Sequence, residues 1–173
     1  MKRVILFFLL FNLTEVFGQN EFAATAFYKD FKKIYDDAQS GFFNYKGEKR
    51  KSEFDELAAE YKVKFLIPLA DSGKIVFPNS DNRPYVVYFF EPGKTRLKVD
   101  QRAMNLREAV QIAYEKPLFM RAETILIDNH PFTNSYLFTD PEETRSGQAE
   151  FRMSIFYKDK KYFLSFEIRG KVQ

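Results

Sequence analysis

Residues 150–169 hold two strands whose side chains agree on one pairing. With a two-residue turn at Asp159-Lys160, Phe151 falls opposite Ile168, Met153 opposite Phe166, Ile155 opposite Leu164 and Tyr157 opposite Tyr162. That whole face is apolar. On the other face Glu150 meets Arg169 and Arg152 meets Glu167, opposite charges in both cases, while Ser154 meets Ser165 and Phe156 meets Phe163. A slip of one residue exchanges the faces and destroys both sets at once. The turn is neither Asn-Gly nor Asp-Gly, so its register is better specified than its geometry. The chain must therefore carry an antiparallel sheet with at least one buried face.

The rest of the pattern says what could bury it. Residues 22–40 carry Ala23, Phe27, Phe31, Ile34, Tyr35 and Ala38 in one stripe at helical period, with Lys29, Asp30, Lys32, Lys33, Asp36 and Asp37 on the other side and Gly41 as a stop. Phe42 to Lys46 reads as a short strand and Glu48 to Lys51 as a charged link. Ser52 is an N-cap candidate for a second helix over 53–61, with Phe54, Leu57, Ala58 and Tyr61 on one side. Val63, Phe65 and Ile67 then alternate as a strand. Asp71-Ser72-Gly73 reads as a turn, Lys74 to Phe77 as a strand and Asn79 to Pro84 as a polar loop. Tyr85 to Phe90 is apolar at every position, as in a strand buried on both faces, and Pro92-Gly93 ends it. Thr95 to Val99 reads as a strand. A third helix over 103–116 carries Leu106, Val110, Ala113 and Tyr114, with Asn105 and Glu108 as a capping-box-like start. Phe119 to Ile127 and Tyr136 to Thr139 read as strands, and Asp140 to Gly147 as an acidic, polar loop.

Helices thus come in blocks and strands in hairpins. That order implies an α+β fold with an antiparallel β-sheet packed by N-terminal helices and a mid-chain helix, not a doubly wound parallel sheet. A cut near residue 100 divides the chain into halves 19–100 and 101–173, each a helical start followed by strands, as a diverged tandem repeat would be.

Residues 1–18 have the layout of a secretory signal peptide. Lys2 and Arg3 precede an apolar run from Val4 to Phe11, and Val16-Phe17-Gly18 suits a signal peptidase. The run is too short to span a bilayer, which needs about 20 residues. Cleavage after Gly18 would leave a single domain over 19–173, exported to a periplasm or the medium, with no stable membrane span. The chain has no cysteine, so its core alone must hold it. With 45% hydrophobic and 18% aromatic residues it is not a disordered sequence. A net charge of +3 is too balanced to imply nucleic acid.

Composition also excludes chemistries. Without cysteine there is no thiolate nucleophile or thiolate metal site, and a single histidine, His130, rules out any site that needs two. No Gly-x-Ser-x-Gly, His-Glu-x-x-His, EF-hand or phosphate-cradling glycine loop occurs. The paired carboxylates Asp36-Asp37 and Asp55-Glu56 fall on expected helices, where adjacent residues do not face each other. Neither a cofactor nor a metal is expected. The basic cluster Lys46, Lys49, Arg50 and Lys51 is interleaved with acids and reads as a solvated loop.

What remains is a surplus of aromatic residues, 21 Phe and 10 Tyr. A sheet covered by helices on one face has room for only part of them. The rest would need a covered second face, an enclosed pocket or a partner surface. Tyr88, Phe156 and Phe163 are the candidate binding residues. They point to an exported, non-catalytic module that binds an envelope or extracellular protein through an aromatic sheet face. The alternative is a carrier of a small apolar ligand, with its pocket between sheet and helix. An enzyme built on acids and tyrosines, with His130 optional, ranks last.

Overall fold

The computed structural model describes residues 20–51, 57–79, 83–123, 126–127, 130–131, 134–139 and 150–170. The expected signal peptide and the 140–147 loop lie outside them. The fold is α+β. Helix α1 (Thr25–Gln39) is followed by β1 (Lys46–Arg50), β2 (Ala58–Val63), β3 (Ala70–Pro78) and β4 (Tyr85–Phe90). Helix α2 (Arg96–Tyr114) is followed by β5 (Phe119–Glu123), β6 (Leu126–Ile127), β7 (His130–Pro131), β8 (Asn134–Thr139), β9 (Glu150–Lys158) and β10 (Lys161–Arg169). Eight strands form one antiparallel sheet in the order β1-β2-β3-β4-β10-β9-β8-β5, and β6 pairs with β7 apart from it.

Both helices lie on one face of this sheet. Phe27, Phe31, Ile34 and Ala38 of α1 and Val99, Ala103, Leu106 and Val110 of α2 share one core with Val86, Tyr88, Phe90, Phe151, Met153, Ile155, Leu164, Phe166 and Ile168. The C-terminal hairpin has the register read from the sequence, from Glu150↔Arg169 to Lys158↔Lys161. Its turn residues Asp159 and Lys160 both have positive φ, 50° and 60°, the type I′ signature that suits the twist of paired strands. The hairpin is central: β10 pairs with β4 along Ser165↔Phe89 to Arg169↔Tyr85.

Asp37 falls among the polar residues of the α1 pattern, but it is 3% exposed. The chain reverses after α1 through Gly41 and Phe42, with φ of 79° and 62°. This reversal leaves backbone donors without strand or helix partners. Asp37 Oδ1 accepts from the Asn44 N–H at 3.1 Å and Oδ2 from the Tyr45 N–H at 3.0 Å. The Asn44 side-chain amide adds a bond at 2.8 Å. The carboxylate closes the turn that delivers β1 to the sheet.

Several expected elements are corrected. Residues 42–45 form a turn, and the strand is the charged segment Lys46–Arg50. As an outermost strand, β1 gains from lysines that discourage further pairing. The expected helix over 53–61 is not found: residues 58–61 belong to β2, and 52–56 lie outside the described residues. Ala59 and Tyr61 stand opposite Phe77 and Ile75 of β3, while Glu60 and Lys74 pair on the other face. Strand pairing on both sides overrides the helix-forming residues. The strand expected over Val63 to Ile67 ends at Val63, and the turn at Asp71-Ser72-Gly73 lies inside β3. The reversal comes earlier, at Leu69, with φ of 67°. Thr95 to Val99 is not a strand. Thr95 is the N-cap of α2, and Val99 and Ala103 extend the buried stripe of Leu106 and Val110 back by two turns. Asn105 and Glu108 therefore sit mid-helix, where the backbone carbonyl of Asn105 and Glu108 Oε2 accept from the Asn20 amide at 3.0 and 3.2 Å. The cut near residue 100 falls within α2. Phe119 to Ile127 is two strands, β5 and β6.

Candidate binding surfaces

The sheet register sets the composition of the face opposite the helices, because alternate residues of each strand point there. Across the centre, Tyr85, Arg169 and Glu150 form one row, and Val87, Glu167, Arg152 and Leu137 the next. Phe89, Ser165, Ser154 and Ser135 form a third, and Phe163 and Phe156 a fourth. Among the described residues no helix covers these rows.

The charges on this face are paired. Arg152 Nη1 meets Glu167 Oε1 at 3.3 Å, and Arg169 Nε donates to the same oxygen. Arg83 Nη1 meets Glu150 Oε1 at 3.2 Å. Burial would lower the Arg169 pKa, but the Glu167 charge and hydrogen bond outweigh it and hold the guanidinium above its ordinary value. Arg169 also lies over the Tyr85 ring, 5.2 Å from its centre. Burial is the main cause that pushes the Tyr85 phenol up, with Glu167 adding to it. The three serines are buried between longer neighbours, and Ser135 Oγ lies 3.0 Å from Ser154 Oγ. Phe156 and Phe163 stack with centroids 5.2 Å apart and planes at 10°. Both rings are half-buried.

The three candidate residues separate here. Phe156 and Phe163 come together on the helix-free face. Tyr88 points the other way and is 1% exposed, so it belongs to the core and cannot touch a partner. Its ring fills the space above Gly73, where a Cβ would come within 2.9 Å of it. Burial drives the Tyr88 phenol well above its ordinary value, with Asp30 and Tyr45 adding to the shift. His130 lies in β7, and its side chain is outside the described residues.

A second feature lies on the helical side. A cleft of about 250 Å³ opens between α2 and strands β5, β8 and β9. Ala103, Met104, Met120, Tyr136, Phe138, Met153 and Ile155 line it, with Asp100 and Arg107 also on its wall. The region beside β1–β3 is instead filled by aromatic rings, Tyr45 against Phe65 and Tyr61 against Phe77 at centroid distances of 4.5 and 5.4 Å. The sequence allows a pocket between sheet and helix but does not say which residues would line it. The signal was in the methionines, which nothing in local spacing connects.

Among the described residues, no three His, Cys, Asp or Glu side chains converge as a metal site, and no helix is long and apolar enough to cross a membrane. Compared with family models, curated proteins and solved structures, the chain has no match in any of the three.

Proposed function

We propose that the chain is an exported, non-catalytic binding module. It takes up another polypeptide on the helix-free face of its sheet, with Phe156 and Phe163 as anchors. The observation that supports this is the stacked pair of phenylalanines beside a network of paired charges, on a face that no described helix covers. Aromatic rings and arginines are the residue types that most often dominate binding energy. Because Arg152, Arg169 and Arg83 already have their carboxylates, a partner can cover them without burying an isolated charge. The sequence adds to this reading, since it offers neither a cysteine nor a second histidine for catalysis.

The test is site-specific photo-crosslinking in the native host. A benzophenone amino acid at Phe156 should yield one discrete product with a second polypeptide. The same residue at Leu97, which is 78% exposed on α2, should yield none. Equal yields from the two positions, or no product from Phe156, refute the assignment of the face.

A further inference from the structure

The cleft between α2 and strands β5, β8 and β9 has a composition unlike the rest of the molecule. The chain has four methionines, and the three besides Met1 all line this one cleft. Met104 and Met120 are 58% and 43% exposed, and Met153 forms part of the core beneath them. Methionine is unbranched and polarisable, and it is favoured where an apolar surface must adapt to what it binds. Elsewhere the core is filled by stiff aromatic and branched side chains.

The polar group at the cleft is equally specific. Arg107 reaches from α2 towards β5, and its Nη1 donates to the Met120 sulfur at 3.7 Å. Among the described residues it meets no carboxylate. Asp100, on the same wall, has the guanidinium of Arg96 at 3.3 Å. The cleft therefore combines an adaptable apolar surface with one arginine that, among the described residues, has no carboxylate as counterion. A guanidinium binds a carboxylate through two parallel hydrogen bonds.

We propose that this cleft binds a single-chain alkyl carboxylate, the tail among Met104, Met120 and Met153 and the carboxylate on Arg107. The site is on the opposite side of the sheet from Phe156 and Phe163 and does not depend on the polypeptide-binding reading. An apolar tail should tighten binding about fourfold for each methylene buried, until the cleft is full. The carboxylate contact should contribute at least about tenfold.

The experiment is a titration of the full chain, labelled with ¹³C at the methionine methyl groups, followed by NMR. The probes are decanoate, hexanoate, decanol and decyltrimethylammonium. The expected result is that decanoate saturably moves the Met104, Met120 and Met153 signals, while hexanoate binds at least about tenfold more weakly. Arg107→Gln should weaken decanoate about tenfold and leave decanol unchanged. Arg107 is an exposed side chain, so the variant should keep the amide spectrum of the folded protein. The proposal is overturned if decanoate leaves the three methyl signals in place. It is also overturned if decyltrimethylammonium binds as tightly as decanoate, or if Arg107→Gln binds decanoate as the wild type does.

Discussion

Replacing Asp37 by alanine should be among the most damaging single changes to the fold, although the residue touches neither candidate surface. The side chain is buried, and it accepts from two backbone donors and the Asn44 amide. A hydrogen bond to a charged group contributes about 1.5–3 kcal/mol, and a buried donor left unpaired loses its desolvation free energy as well. Asn44 is exposed, so water can replace part of its interactions. Counting the Tyr45 bond fully and the Asn44 bonds in part gives a loss of roughly 3–5 kcal/mol. A domain of this size has about 5–15 kcal/mol in total. With a urea slope of about 2 kcal/mol per M, the unfolding midpoint should fall by roughly 2 M. Asp37→Asn should cost less, because one oxygen remains to accept while its amide group faces a backbone donor. Urea unfolding followed by far-UV circular dichroism measures both variants. A loss below about 1 kcal/mol for Asp37→Ala, or equal losses for the two variants, would show that the turn does not depend on this carboxylate.

Two further outcomes follow from the same structure. Lys160→Gly should stabilise the protein by about 0.5–1 kcal/mol, since Lys160 sits at positive φ in a type I′ turn and Asp-Gly suits that turn best; thermal unfolding reads the change. The Tyr85 and Tyr88 phenols are both raised from an ordinary value of 10.0, so the folded state keeps protons that the unfolded state releases. Their contribution to stability is complete below that value and is lost as pH rises above it, by about 1.4 kcal/mol per pH unit for the buried Tyr88 phenol and by less for the partly exposed Tyr85. Urea midpoints at about pH 9 and about pH 11 should show this fall, and Tyr88→Phe should make it shallower.

Legibility in the sequence followed the physics of each element. The β9–β10 register was readable because apolar and charged pairs constrain both faces at once. Strand β2 was not, because Ala58, Ala59, Glu60 and Lys62 suit a helix locally, and only pairing with β1 and β3 decides otherwise. Asp37 looked like one more charge on a solvated helix face, since the turn that needs it is formed by residues seven and eight positions later. Phe156 and Phe163 could be placed because their two strands both alternate. Tyr88 could not, because β4 is apolar at every position and period two carries no information there. The methionine cleft joins positions from a helix and three strands, which only the tertiary fold brings together.

Native mass spectrometry of the chain recovered from its own host tests most directly whether it is an exported binding module. The predicted spectrum shows a chain that begins at Gln19, in a discrete complex with a second polypeptide, and Phe156→Glu loses that complex while the chain remains folded. A bare monomer for both wild type and variant, or a complex that survives the substitution, would contradict it.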